Sequence, residues 1–184
     1  MGKFSNSIQP AHQDFISKQH LFFVATAPLS ANGRINLSPK GLNSFRILGS
    51  NQVAYMDLIS SGNETSAHTL ENGRITFMFC SFDENPGILK LYGKGFTVIP
   101  GSENWDFYAR HFTIYPSTRQ IIVADIDFIQ TSCGYGVPIF DFKEDRGIHF
   151  EWAEKKGPEG LALYMKENNL KSIDDLPTDL GLKK

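Results

Sequence analysis

The chain has 184 residues, 41% hydrophobic and 12% aromatic, enough to bury one substantial core. Its 18 basic and 20 acidic residues are interspersed and leave a net charge of −2, which excludes the electrostatic footprint expected of a nucleic-acid partner. No stretch approaches a membrane span, and the opening MGKFSNSIQP has no apolar core of signal-peptide length, so the expectation is a cytoplasmic protein without a membrane partner.

Residues Pro10 to Gln19 read as a first helix with Phe15 and Ile16 facing the core. Leu21 to Ala27 is an apolar, aromatic strand, and the Asn32-Gly33 turn after it favours a tight hairpin. The next strand begins at Arg34 and places Asn36 and Ser38 on one face, Ile35 and Leu37 on the other. Pro39 cannot donate to a sheet ladder, so this strand must end there or lie at an edge. Phe45 to Leu48 and Gln52 to Leu58 flank Gly49-Ser50-Asn51 as a second hairpin, with Val53, Tyr55 and Asp57 alternating against Ala54, Met56 and Leu58.

The polar turn from Ser60 to Thr65 then leads into a helix running to Asn72. Ser61 and Asn63 are both N-cap candidates, and Glu64 would sit in the first turn, where a negative charge suits the helix dipole. A strand that runs into such a turn and then a helix start can also hold a phosphate, because amides and hydroxyls converge there. Capping explains the same residues without a ligand. Lys40, emerging after the Pro39 break, could reach an anion or could be an ordinary solvated loop lysine.

Further on, Arg74 to Phe82 is nearly all apolar, as a strand covered on both faces would be. Ile88 to Ile99 pairs with it, and Gly93 and Gly95 within that strand predict a bulge or a close approach. Glu103 to Phe112 reads as a helix capped by Ser102, with aromatics that serve the core. Gln120 to Gln130 supplies the last strand, with Ile122, Ala124, Ile126 and Phe128 opposite Ile121, Val123 and Ile129. Gly157-Pro158-Glu159 opens a C-terminal helix ending near Asn168, and the polar stretch from Lys171 onward is expected to form at most one more turn before fraying. These elements predict a mainly β (α+β) fold, a six-stranded antiparallel barrel with flanking helices.

Other chemistries are poorly supported. Neither Gly93-Lys94-Gly95 nor Gly134-Tyr135-Gly136 completes a dinucleotide fingerprint. Glu64 and His68 are four apart on one helix, but no third metal ligand is evident. Cys80 and Cys133 stand in no paired spacing, and Cys80 reads as a small buried thiol.

The run Asn36-Leu37-Ser38-Pro39-Lys40-Gly41, then Ala54-Tyr55-Met56-Asp57-Leu58, Ser61-Gly62-Asn63-Glu64-Thr65, Glu71 to Cys80 and Gln130 to Pro138, resembles the pyridoxamine 5'-phosphate oxidase-like group of FMN-binding split-barrel proteins. The resemblance spans about Leu21 to Trp152 in one order. It implies a single FMN-binding split-barrel domain over residues 1–184, with the barrel core at about 20–132 and a loop and helical tail at 133–184. It also implies a flavin-dependent oxidoreductase acting on a small molecule, and a homodimer with FMN at the interface. By the same resemblance Asn36, Ser38, Pro39 and Lys40 would lie near the flavin ring or ribityl chain, and Ser61, Asn63 and Thr65 would meet the phosphate. Trp152 would contact the cofactor from the second subunit, against the alternative of a hydrophobic anchor for the tail. Glu64 departs from the basic phosphate pattern of true pyridoxamine 5'-phosphate oxidases, and this weighs against vitamin B6 oxidation. The alternative function is a non-catalytic flavin- or haem-binding protein.

Overall fold

The computed structural model describes residues 2–182. Eight strands form one antiparallel sheet: β1 (Lys3–Ser5), β2 (Phe22–Thr26), β3 (Asn36–Lys40), β4 (Phe45–Ile47), β5 (Gln52–Leu58), β6 (Arg74–Cys80), β7 (Ile88–Val98) and β8 (Thr118–Ser132). Their order is β3-β2-β6-β7-β8-β5-β4, with β1 beside the far end of β8. The architecture is the expected mainly β split barrel with flanking helices, built from eight strands rather than six. The short β1 gives no alternation signal in the sequence.

Aromatic side chains from both halves of the sheet meet in one core. Phe22 lies against Phe45, Tyr55, Phe77 and Phe79, with ring centroids 5.1 to 6.4 Å apart, the range in which offset and edge-on pairs add to simple burial. A second cluster of Ala54, Val98, Tyr108, Ile121 and Val123 covers the alternate residues of β5 and β8. Both strands are therefore buried on two faces, whereas the sequence predicts a half-buried β5. In β6 the outcome is the reverse: Ile75, Phe77 and Phe79 are buried while Thr76 and Met78 are only half-buried.

The Gly93 expectation is met by a bulge in which β8 carries one residue more than β7, between the pairs Tyr92 with Phe128 and Gly93 with Ile126. A Cβ at Gly93 would collide with the Asp125 carbonyl oxygen. The extra residue also shifts which side chains face inward, because alternation restarts after a bulge. Ile129 consequently joins Ile122, Ala124 and Ile126 in the main core, and Phe128 is turned to the surface beside Phe4. Regular alternation places these two residues the other way round.

The helices are α1 (Pro10–Ser17), α2 (Glu64–Asn72), α3 (Trp105–Ala109), α4 (Ile148–Asn168) and α5 (Asp179–Leu182). The expected helix from Glu103 is shorter, and Asn104 rather than Ser102 occupies its N-cap position. The C-terminal helix begins at Ile148, earlier than expected, and is broken at Gly157, whose φ of 64° only glycine adopts freely. Pro158 then starts a fresh helical segment, as proline does readily at a first turn. The polar stretch after α4 forms the expected further turn, α5, and is ordered ahead of it, with Ser172 and Thr178 buried and an isolated bridge pairing Lys171 with Pro177; the expected fraying at the end falls at 183–184, outside the described residues.

Replacing Gly93 by alanine is expected to destabilise the protein by about 1 to 3 kcal/mol, the usual cost of forcing an atom into filled space. Gly49→Ala, where an added Cβ meets nothing within 4 Å, is expected to be near neutral. Urea denaturation of the two variants checks this, and equal effects would remove the close-approach account of Gly93.

Candidate functional site

An open cavity of about 850 Å³ lies where β3, the end of β5, the start of α2 and the chain after α4 converge. Asn36, Ser38, Pro39 and Lys40 form one wall, and Ser61, Asn63 and Thr65 face them. Seven of the eight residues singled out in the sequence are thus gathered in one place. Trp152 does not line this cavity. It packs beside Ile59, Ala153 and Leu161 and against Tyr164, at 5.2 Å between ring centroids, where it anchors α4.

Strand β3 explains the first wall. It is an edge strand paired only with β2, so Pro39 costs no ladder bond on its open side. Asn36, Ser38 and Lys40 are half-buried at the cavity, while Ile35, just ahead of the strand, and Leu37, at the cavity rim, are 77% and 64% exposed. Asn36 sits opposite Thr26, and its Nδ2 donates to Thr26 Oγ1 and to Thr65 Oγ1, both at 3.1 Å. Thr26 Oγ1 in turn shares a hydrogen bond of 2.9 Å with the buried His68 Nδ1. Burial lowers the His68 pKa despite the Glu64 and Glu71 carboxylates nearby. Among the described residues no group of three or more His, Cys, Asp or Glu could hold a metal ion.

Beneath the cavity lies a charge cluster that the sequence reading missed. Asp57 is 1% exposed. Its Oδ1 accepts from Lys40 Nζ at 3.0 Å, and its Oδ2 accepts from Arg119 Nη2 at 2.6 Å and Gln120 Nε2 at 2.8 Å. Adjacent residues of a regular strand point to opposite faces, so Arg119 and Gln120 should not reach one carboxylate. They do so because Arg119 is the extra residue of a second bulge: Asp57 pairs with Gln120, and Leu58 pairs with Thr118. Burial pushes the Asp57 pKa up, but the Arg119 and Lys40 charges outweigh it and hold the carboxyl well below the usual range. Two cations and one carboxylate leave one net positive charge under the cavity floor. The Lys40 ammonium also stands 5.7 Å from the Tyr55 ring centroid, within cation–π range.

The same cluster shapes the turn. Arg119 Nη1 donates to the Gly62 carbonyl at 2.8 Å, and Gln120 Nε2 donates to Asn63 Oδ1 at 2.7 Å. Asn63 occupies the N-cap position of α2, as expected, yet no side chain caps the helix, because both ends of the Asn63 amide are engaged elsewhere. The expected first-turn charge is present in Glu64, and its Oε1 accepts the Ile173 amide at 3.0 Å. The signal for Arg119 lay in a lone Arg-Gln pair at the head of an apolar run. The partner of that pair, a lone Asp in another apolar strand, was equally visible.

No protein-family model matches the chain. It is 35% identical over 193 residues to the pyridoxamine 5'-phosphate oxidase family protein ustO of Aspergillus flavus, covering 95% of this chain and 76% of the relative. Among solved structures, a HupZ variant from Group A Streptococcus matches 68% of this chain and 99% of its own, with 21% identity and a TM-score of 0.53. A candidate pyridoxamine 5'-phosphate oxidase from Lactobacillus delbrueckii matches 68% and 94%, with 13% identity and a TM-score of 0.54. These two likenesses concern the fold.

Truncating Asp57 to alanine is expected to destabilise the protein by about 3 to 5 kcal/mol, because Arg119 would be left buried without its counter-charge. The pH dependence has a definite sign. A carboxyl whose pKa is depressed on folding contributes stability above its unfolded value of about 3.9 and loses it as pH falls toward the folded value. Acid titration of stability should therefore show a steep decline below about pH 4 that Asp57→Asn removes. An unchanged acid limb in that variant would contradict the buried pairing. On the residues matched by ustO over almost the whole sequence, the chain belongs to the pyridoxamine 5'-phosphate oxidase family.

Proposed function

We propose that this protein is an FMN-dependent oxidoreductase that acts on a small molecule. In the proposal it works as one FMN-binding domain within a homodimer that holds the cofactor at its interface. The observation that carries the reading is the 850 Å³ cavity, which brings the polar wall of β3 face to face with the turn at the head of α2. Its volume falls within the roughly 300–1,000 Å³ of small-molecule and cofactor sites. Family membership supports the reaction class, since ustO is named for an oxidase family.

The residues present fit FMN. The first turn of α2 has no side-chain cap, and helix-start amides suit a phosphate. Ser61 and Thr65 add hydroxyls beside it, and the buried cluster under Lys40 contributes its net positive charge. Asn36, Ser38, Pro39 and Lys40 would hold the ring and ribityl side. When bound, FMN supplies the electron-transfer chemistry, so no catalytic side chain is assigned. The ammonium of Lys40 and the amide of Asn36 bind and orient. Glu64, the residue at odds with a phosphate site, has one carboxylate oxygen bonded to the Ile173 amide. The exposed apolar face of β3, with Phe4 and Phe128 on the same sheet, supports a second copy as the partner.

The test is a visible absorption spectrum of the purified protein before and after adding FMN and removing the excess, followed by anaerobic addition of a nicotinamide donor. Retained flavin bands that bleach with the donor are the expected result. A protein that stays colourless overturns the cofactor assignment, and a haem spectrum or retained flavin that no donor reduces favours the non-catalytic alternative. In the same assay, Ser61→Ala, at an exposed position of the turn, should weaken FMN binding about threefold, or roughly 0.7 kcal/mol, with little change in melting temperature.

A further inference from the structure

Behind Asn36 on the cavity wall lies a buried titratable side chain that no proposed cofactor contact uses. His68 is 1% exposed, and its Nε2 is buried with no partner among the described residues. An unpaired ring nitrogen in the interior is a liability for folding, so packing alone does not account for a histidine there. The bond it does make joins Nδ1 to the equally buried Thr26 Oγ1 at 2.9 Å.

Proton counting sets the direction of each bond in this group. A threonine hydroxyl has one proton to give and can also accept, a neutral imidazole has one N–H and one acceptor, and a primary amide has two N–H donors and a carbonyl acceptor. Asn36 Nδ2 donates to Thr26 Oγ1 and to Thr65 Oγ1, both at 3.1 Å, so both amide donors are used. Thr26 therefore accepts from Asn36 and gives its only proton to Nδ1, which makes His68 a neutral acceptor. A proton on Nδ1 would face Thr26 Oγ1 with two donors and leave the threonine proton without an acceptor. Burial of the imidazole favours the neutral form as well. The group of Asn36 left over is Oδ1. It accepts nothing among the described residues, it is not one of their buried unpartnered atoms, and its residue lines the cavity.

We infer that His68 and Thr26 are positioning residues that hold the Asn36 carboxamide with its carbonyl open to the cavity, so that this wall selects a hydrogen-bond donor of the flavin, either the ring N–H or a ribityl hydroxyl. This rests on the FMN reading and deepens it by naming the kind of group Asn36 recognises. A carboxamide free to turn over presents a donor as readily as an acceptor and discriminates poorly. His68 and Thr26 touch no ligand in this scheme and act through Asn36.

The test is a fluorescence titration of the full chain with three ligands: FMN, FMN methylated at the ring N–H, and lumiflavin, which lacks the ribityl chain. Thr26→Val removes the hydroxyl at nearly constant volume and Thr26→Ser restores it, and thermal melting checks that each variant folds. If Asn36 reads the ring, the wild type and Thr26→Ser prefer FMN over its methylated form at least about tenfold, and Thr26→Val lowers that preference below about threefold. If it reads a ribityl hydroxyl, Thr26→Val weakens both FMN forms at least about threefold, Thr26→Ser does not, and lumiflavin changes by less than about twofold. Equal weakening of all three ligands marks a merely structural role and overturns the inference, as does a Thr26→Val variant that binds all three like the wild type. If Thr26→Val does not fold, Asn36→Ala, at a half-buried position, decides by the same ratios. In each of these cases a wild type that retains FMN leaves the flavin reading standing. A wild type that binds no flavin overturns both.

Discussion

The Asp57 carboxylate is the point on which the split barrel closes. Strand β3 ends the sheet on one side and β5 lies next to the last strand on the other, so no backbone ladder joins them. The bond from Lys40 to Asp57 crosses that gap, and Arg119 and Gln120 fix the carboxylate from β8. A buried ion pair is a poor source of net stability, because desolvation consumes most of its Coulombic gain. Its stronger effect is geometric: removing either partner leaves a charge that nothing else can satisfy, so the arrangement tolerates only one relative placement of the three strands.

The turn inherits that placement. Arg119 and Gln120 each use a second donor bond or a second acceptor to hold Gly62 and Asn63, and the backbone of Ile59 is tied to the Ser117 carbonyl at 2.9 Å. From the other side the Trp152 and Leu161 cluster packs on Ile59, and Asn169 takes Ser60 and Asn63. A loop of serine, glycine and asparagine has high intrinsic freedom. Here a charge cluster below and the C-terminal chain above remove that freedom. This is the preorganisation a cofactor site needs if binding is not to spend its energy on ordering the protein.

Much of this was legible in the sequence, for a physical reason. Strand alternation, the hairpin turns and the Ser61 to Thr65 segment are local signals, and they located the wall of β3 and the turn opposite it. The parts that stayed hidden depend on distant partners. Arg119 becomes a ligand of Asp57 only because a bulge turns it to the same face as Gln120, and Ile129 becomes core only because a second bulge resets the alternation. Asn169 and Thr178 have the composition of a solvated tail, yet they are buried because the turn supplies hydrogen-bond partners that the sequence around them does not. Polarity predicts exposure only when no such partners exist.

Strand β3 shows how these levels combine. A half-buried edge strand ordinarily turns its apolar residues inward and its polar ones to water. In β3 the exposures are exchanged: Asn36, Ser38 and Lys40 are half-buried at the cavity, while Leu37, at its rim, and Ile35, just ahead of the strand, are exposed. The inward set is stable because each member has a partner inside or water in the cavity. Thr26 and Thr65 receive Asn36, and Asp57 receives Lys40. The outward set gains nothing from the fold of a single chain, since exposed isoleucine and leucine side chains stabilise only when another surface covers them. One strand therefore carries both halves of the proposed function, the cofactor wall within and the contact with a second copy without. A substitution that restored ordinary polarity to β3 would leave its backbone pairing intact while removing the proposed cofactor contacts from one face and the proposed contact with a second copy from the other.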